Sequence, residues 1–506
     1  MAQLPQFPES YWTNSVDIPT FPILKSDLST DVVIVGAGMT GITAGYLLAK
    51  QGVKVAILEA GRILHGTTGH TTAKITAQHD VIYDELISHF GEDQARLYYE
   101  ANRDALQFIK RTAETESIAC DYATEDAILY SQTFQSDDKL QKELRAYEKL
   151  GISGELKDSI ELPFEITSAL TMKDQARFHP IPYLTTLIDR IVKAGSQVFE
   201  HTTVMKVEDD SGSPIVVTEK GQRLTCKHVI AASHFPFLDW KGVYFARLHA
   251  ERSYVLAVKL KQPYKGGMYL SVDKPTRSIR LAQDGDEPLI LIGGEGHKAG
   301  QSPCTIKHYE ALQTFAVTTF DVKEIAYRWS TQDLVTTDKV PYVGRISNNN
   351  PNILVATGYR KWGMTNSTAA AHMLTNIVLG NEDRYLQLFD PARFHSDPDL
   401  KTLISQNANV AKELISGKLE STRRSVDDVA VNEGAVVSVG GKRAGAYRDP
   451  NGVLHVVDTT CTHMGCETHW NDGDRTWDCP CHGSRFSYTG EVVEGPAKEP
   501  LAKIEG

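Results

Sequence analysis

The chain has 506 residues, 41% of them hydrophobic and 23% charged, ordinary material for two to four globular domains. A formal charge of −11 with no basic cluster argues against a nucleic-acid or anionic-membrane binder. No uncharged apolar run approaches the ~18 residues of a spanning helix. The N-terminus MAQLPQFPES has neither a positive n-region nor an apolar h-region, so a soluble, cytoplasmic protein is expected.

Residues 1–27, rich in proline and aromatics, are expected to form an arm lying on the first domain. Val32–Val35 is a continuous apolar run of the kind found in strands buried on both faces. Gly36, Gly38 and Gly41 follow as G-x-G-x-x-G. The first makes the tight turn, the second admits a pyrophosphate, and the third lets the next helix pack close to the sheet. Met39 and Thr40 stand in the first turn of that helix, where backbone amides face the phosphates. Tyr46, Leu47 and Leu48 supply its apolar residues and Gly52 ends it. Val53–Leu58 reads as the second strand and closes on Glu59, 18 positions after Gly41, a carboxylate placed to accept hydrogen bonds from a ribose. The glycines alone carry little. Between two strands and ahead of the acid they predict a dinucleotide site.

A nicotinamide enzyme usually continues into another βα unit. This chain instead runs Ala60-Gly61-Arg62 and then Gly66-Thr67-Thr68-Gly69-His70-Thr71-Thr72-Ala73-Lys74, small, hydroxyl-rich and poorly suited to a core. Here it resembles the D-amino-acid oxidase/glycine oxidase family of FAD enzymes, over residues 28 to about 390. The resemblance implies an α/β FAD-binding domain, Rossmann-like and of the glutathione-reductase type, beside an α+β substrate domain of mostly antiparallel sheet. The FAD-binding parts fall at about 28–80, 175–240 and 335–390, and the substrate domain at about 81–174 and 241–334. Ala60, Gly61, Arg62, Thr67, Thr68, His70 and Thr71 would wrap the ribityl chain and reach the flavin ring. In the dimethylglycine and sarcosine dehydrogenases a histidine after such a stretch bonds covalently to the flavin. Gly69 stands where those enzymes carry a tryptophan. A tether through His70 therefore stands beside two plainer readings, an imidazole hydrogen-bonded near the flavin and one pointing away.

From Ile82 to about Glu148 the apolar spacing is helical, as in Tyr83, Leu86, Ile87 and Phe90. Arg177-Phe178-His179-Pro180 precedes a helix over Tyr183–Gly195, and Gln197–Glu208 follows as a strand. By resemblance Val204 would touch the adenine, and Lys227–Ala232 would be the next core strand. Residues 243–330 alternate apolar and polar, which suits the antiparallel substrate sheet. Leu289–Gly300 mimics a second nucleotide loop, but Gln301-Ser302-Pro303 stands where a helix should start, so a hairpin end is expected. The chain returns to the flavin through Asp338–Arg345, the strand Ile353–Ala356 and a turn of Thr357 to Thr365. A helix of small residues follows, Asn366–Leu379. This resembles the family's C-terminal FAD motif and implies contacts from Gly358, Gly363, Met364 and Thr365. Arg252, Tyr254, Tyr359 and Lys361 are catalytic candidates only because family correspondence puts them near the flavin.

Residues 391–428 read as a boundary: one amphipathic helix with Leu400, Leu403, Ile404, Val410, Leu414 and Ile415, then a charged linker, Lys418–Asp428. From 429 to 506 short strands punctuated by Gly440-Gly441 and Asp449-Pro450-Asn451-Gly452 predict a small all-β domain. Four of the seven cysteines cluster there, in Cys461-Thr462-His463-Met464-Gly465-Cys466 and Cys479-Pro480-Cys481-His482-Gly483-Ser484. Two Cys and two His at this spacing could hold tetrahedral zinc; the extra cysteine pair and the Gly-Ser after the last histidine fit zinc less well. The segment resembles the Rieske proteins. That implies a [2Fe-2S] cluster with ligands Cys461, His463, Cys479 and His482, a loop-bridging disulfide Cys466–Cys481, and a hydrogen bond from Ser484 to a cluster sulfur. Phe486 stands where high-potential members carry a tyrosine, so a middling potential is expected.

A flavin takes a hydride's two electrons at once, and a Rieske cluster takes one at a time. Together they imply a dehydrogenase acting on an amino acid or N-methylated amine. The histidine edges of the cluster would be the exit to a soluble carrier or quinone. The alternative is an electron-transfer or redox-sensing module whose electrons enter through the cluster.

Overall fold

The structure is a computed structural model describing residues 2–209, 212–284, 287–394, 396–419 and 422–504. Residues 420 and 421 of the expected linker, and 395 before it, lie outside the described residues. The organising sheet has six strands, in spatial order Tyr342–Arg345, Ile353–Thr357, His228–Ala231, Val32–Val35, Val55–Leu58 and Gln197–Phe199. All neighbours are parallel except the first pair. Alternation along each strand divides two layers. Val32, Ile34, Val55 and Ile57 pack with the helices Met39–Lys50, Pro180–Lys193 and Gly363–Leu379. Val33, Val35, Ala56 and Leu58 pack with a four-stranded sheet that contains Val204–Glu208 and Ile215–Thr218. Both faces are covered, which is why these strands read as unbroken apolar runs.

The substrate domain is built on a larger, mostly antiparallel sheet. Its strands include Leu248–Leu260, Arg277–Asp284, Glu287–Lys298 and Val322–Thr336, with Met268–Ser271, Ala123–Ser131 and Ser168–Arg177 beyond them. Three expectations are corrected here. The helical stretch 82–148 is interrupted: helices Tyr83–Thr115 and Phe134–Leu150 flank the strand Ala123–Ser131. That strand pairs with residues 268–271 and 168–177, partners too distant for local spacing to reveal. The strand expected over Gln197–Glu208 is two, belonging to different sheets. Between them the buried carboxylate of Glu200 accepts hydrogen bonds from the Phe21 and Ile63 amides and turns the chain. Residues 289–298 lie in a full strand, Glu287–Lys298, and only 299 and 300 fall in the turn that ends it. No nucleotide loop forms there.

The arm does more than lie on one domain. Trp12 donates from Nε1 to the Thr71 carbonyl at 2.6 Å and Ser10 donates to that of Gly69 at 2.5 Å, so it grips the hydroxyl-rich loop. Arg328 donates to the carbonyls of Pro5, Gln6 and Gly473, joining arm, substrate sheet and C-terminal domain. That last domain has two small antiparallel sheets, Gly434–Val439, Lys442–Arg448 and Leu454–Val457, then His469–Asn471, Thr476–Asp478, Arg485–Ser487 and Val492–Glu494. The helix before it, Lys401–Leu419, leaves Ile404, Leu414 and Ile415 exposed while Val410 packs against the cysteine-bearing core. Among the described residues no helix is long and apolar enough to cross a membrane.

Candidate active site and metal centre

The strand Val32–Val35 ends at Gly36, whose φ of +108° a side chain rarely adopts. The turn is too crowded for substitution. A Cβ on Gly41 would sit 2.0 Å from the Gly36 carbonyl oxygen. Gly38 is the N-cap of the helix Met39–Lys50 and brings no side-chain cap of its own, so the first turn is a place for an anion. Glu59 is fixed by accepting from the Ala37 amide at 2.9 Å and the Gly61 amide at 3.0 Å. Its carboxyl is raised by burial. Thr68 accepts from the Met39 amide, which holds the hydroxyl-rich loop beside the same turn.

These groups border a cavity of about 1320 Å³. Gly36, Gly38, Met39, Thr40, Glu59, Ala60, Gly61, Arg62, Thr67, Thr68, Thr71, Val204, Gly363 and Met364 all line it. The cavity continues to the antiparallel sheet, where Lys74, Tyr254, Glu295, His308 and Asp333 line it. An open helix N-terminus, a crowded glycine turn and a fixed acid fit an FAD pyrophosphate and ribose.

His70 is placed differently from expectation. It is absent from the cavity lining, its Nδ1 bonds to the Gly66 carbonyl at 2.9 Å, and its charged neighbours Arg485 and Asp474 belong to the C-terminal domain. The geometry gives a tether no support; the imidazole points away. Gly41, Gly358 and Thr365 are likewise not in the lining. Gly41 acts through packing, and Gly358, at φ +82°, lies over Thr336. The Thr365 hydroxyl donates to the Thr76 carbonyl at 3.0 Å.

The four catalytic candidates separate. Tyr254 lines the cavity with its hydroxyl 2.9 Å from His297 Nε2, in a stack with His297 and His308. Tyr359 lines it too, but its hydroxyl bonds to Thr40 and braces the nucleotide helix. Lys361 pairs with Glu251 at 3.2 Å. Burial opposes ionisation of Glu251, but the His249 hydrogen bond and the Lys361 charge outweigh it and hold the carboxyl at about 2. Arg252 is absent from the cavity lining. It is 1% exposed and lies between domains, donating to Ser330 and Gln332 with Asp478 and Glu494 at 3.6 and 3.7 Å. Its strand neighbours Glu251 and Ser253 line the cavity, and Arg252 does not. Sequence reasoning passed over Lys74, quoted only as the end of the loop. It lines the cavity, its ammonium donates to the Tyr269 carbonyl at 2.8 Å, and burial, then Arg280, pushes its pKa down to about 7.

At the tips of the C-terminal domain, a disulfide between Cys466 and Cys481 clamps two loops, with Cα atoms 6.5 Å apart. Cys461 and Cys479 are free and buried between them. The imidazoles of His463 and His482 stand 5.0 Å apart at 88°. Among the described residues neither Nδ1 has a hydrogen-bond partner although both are buried. Burial, then His463, pushes His482 down to about 4, which keeps it a neutral ligand. Two thiols and two unpartnered ring nitrogens fit a [2Fe-2S] cluster. Ser484 interacts with the Cys461 thiol and accepts from the Ala497 amide, leaving its hydroxyl hydrogen to donate to sulfur.

The cluster's histidines do not face solvent. His463 Nε2 is 2.8 Å from Asp239 Oδ2, the pair being 9% and 8% exposed, and Phe235 and Phe245 lie beside the two rings. In this arrangement the expected exit edge is turned toward the flavin domain. The interface is intimate: a Cβ on Gly300 would sit 2.6 Å from the Cys479–Pro480 backbone, and Gln332 donates to the Gly483 carbonyl at 2.9 Å.

Comparisons with known proteins agree with this construction. The profile described as FAD dependent oxidoreductase matches residues 31–377, and that of the Rieske [2Fe-2S] domain matches 423–505. The putative Rieske 2Fe-2S iron-sulfur protein YhfW of Bacillus subtilis is 49% identical over 98% of both chains. Gamma-glutamylputrescine oxidoreductase of Escherichia coli is 24% identical, over 74% of this chain and 90% of its own. Among solved structures, glycine oxidase from Geobacillus kaustophilus superposes with a TM-score of 0.62 at 18% identity, covering 72% of this chain and 99% of that one.

Proposed function

The chain belongs to the FAD dependent oxidoreductase family and ends in a Rieske [2Fe-2S] domain, and from that premise we propose that it is an amine dehydrogenase. Its donor is a C–H bond next to nitrogen, in an amino acid or N-methylated amine. Its electrons leave by way of the cluster to an external one-electron acceptor, a protein or a quinone. Bound FAD supplies a hydride acceptor and the cluster a one-electron carrier. The observation that carries the reading is the single cavity bordered by nucleotide loops, substrate sheet and C-terminal domain, with His463 turned toward the flavin side.

The chain's own residues do the rest. The glycine turn and the helix N-terminus that follows Gly38 hold the pyrophosphate, and Glu59, pinned by two amides, orients the ribose. On the sheet side the Glu251–Lys361 pair sets the charge at one border of the cavity. Lys74, with its pKa pushed down to about 7, carries only part of a positive charge at pH 7 and so repels a cationic amine less than an ordinary lysine would. The substrate nitrogen bound neutral needs no strong base, only orientation and exclusion of water. The imine product hydrolyses in solution. Two of its relatives, the gamma-glutamylputrescine oxidoreductase and the glycine oxidase, are named for compounds with amino groups, which supports this class of donor.

Anaerobic mixing of the holoprotein with a panel of amines tests the reading. The expected result is bleaching of the flavin followed by loss of the oxidised cluster's visible bands. A flavin that no amine bleaches, in a protein whose cluster is reduced first by a one-electron donor and then reduces the flavin, would replace it with the module fed through the cluster.

A further inference from the structure

Val492–Lys498 belong to the C-terminal domain, yet they border the cavity that holds the dinucleotide loops. Two sets of bonds hold this segment. On its own side, the Ala497 amide donates to Ser484 Oγ at 3.0 Å and the Glu499 carbonyl accepts from Thr462 Oγ1 at 2.7 Å. It is thus tied to both loops that carry cluster ligands. On the flavin side, the Lys498 ammonium donates to the carbonyls of Met205 at 2.9 Å and Phe237 at 3.3 Å. Met205 follows Val204, a cavity residue at the nucleotide end, and Phe237 lies in the loop after the core strand His228–Ala231. At the other end of the segment Glu494 lies 3.7 Å from Arg252 and 4.0 Å from Arg485. Pro496 and Ala497, between these anchors, are buried.

We propose that Glu494–Lys498 is a wall of the FAD site supplied by the Rieske domain, so that ordered cluster loops and bound FAD stabilise each other. One ammonium bridging the strand Val204–Glu208 and the loop after His228–Ala231 ties the segment to the flavin side of the groove. It also places a positive charge on the border of a site for a pyrophosphate-bearing cofactor. The wall depends on the loops, because Ala497 and Glu499 bond to Ser484, just after His482, and to Thr462, next to Cys461. Linkage makes the effect reciprocal: a factor by which cluster loading changes FAD affinity is the factor by which FAD changes cluster affinity. The inference concerns cofactor retention and holds whatever the substrate.

The test dilutes the holoprotein serially and reads released FAD by its fluorescence, with cluster content followed by visible absorbance. Lys498→Ala is expected to raise the FAD dissociation constant by about 5-fold or more, within the usual range of site coupling, while the cluster bands persist. Lys498→Arg should restore most of the affinity. Cys461→Ser should weaken FAD binding in the same direction. If that variant fails to fold, chelation of iron from the reduced wild-type protein makes the same comparison. Wild-type FAD affinity in Lys498→Ala, or FAD affinity that ignores removal of the cluster, overturns the proposal.

Discussion

Replacing Arg252 by alanine is expected to loosen the C-terminal domain rather than weaken substrate binding. Its guanidinium donates to Ser330 at 2.9 Å and Gln332 at 2.8 Å and faces Asp478 and Glu494. Arg485 also serves those two carboxylates, at 3.2 and 4.0 Å. Removing one member of a buried ion group costs about 3–5 kcal/mol, because the partners stay buried and unpaired. With Arg485 still present the lower end applies, about 3 kcal/mol, or about 150-fold in the balance between docked and released domains. Native-state hydrogen exchange of the strands Thr476–Asp478 and Val322–Thr336 reads that balance. Glu494→Gln in the Arg252→Ala background should recover part of the loss, since it removes one stranded charge. Unchanged exchange together with a raised KM would refute the reasoning and return Arg252 to substrate contact.

Other outcomes follow from single contacts. Gly41→Ala puts a methyl 2.0 Å from the Gly36 carbonyl oxygen; the protein should purify without flavin absorbance, and full FAD content would argue against the turn as the cofactor cradle. His463→Cys should keep an iron–sulfur centre of much lower potential by redox titration, since imidazole ligation raises it; an unchanged potential would remove His463 from the ligand set. Lys74 holds one proton fewer in the native chain than in the unfolded chain between its native pKa of about 7 and the ordinary lysine value near 10.4. Its burial penalty is fully present below that window and gone above it, so its contribution to stability grows with pH across it. Urea midpoints of wild type and Lys74→Met at pH 7 and 9 should differ by more in favour of the methionine variant at pH 7. Equal differences would show that the lysine does not titrate there.

Much of the site was legible because its chemistry is local in sequence. The glycine turn, the acid at Glu59 and the Cys-x-His and Cys-x-x-His loops each need fixed residue types at fixed spacing, which a chain records whether or not it is folded. The apolar runs at Val32–Val35 and Ile353–Ala356 announced doubly buried strands for the same reason. What spacing could not record is which distant surfaces meet. The strand Ala123–Ser131 looked helical until its partners, near residues 170 and 270, were in place. Arg252 looked like an active-site cation, yet it stands outside the cavity lining, beside carboxylates about 230 residues away in sequence. His70 sits at the matching place for a tether, and the Gly66 carbonyl and the C-terminal domain take its side chain instead. The His463 edge, legible as an iron ligand, owes its direction to Asp239, and the FAD groove owes one wall to Glu494–Lys498. Local motifs determine what chemistry each segment can perform. Only the packing of one domain against another, a sum of long-range contacts with no sequence period, decided where that chemistry points.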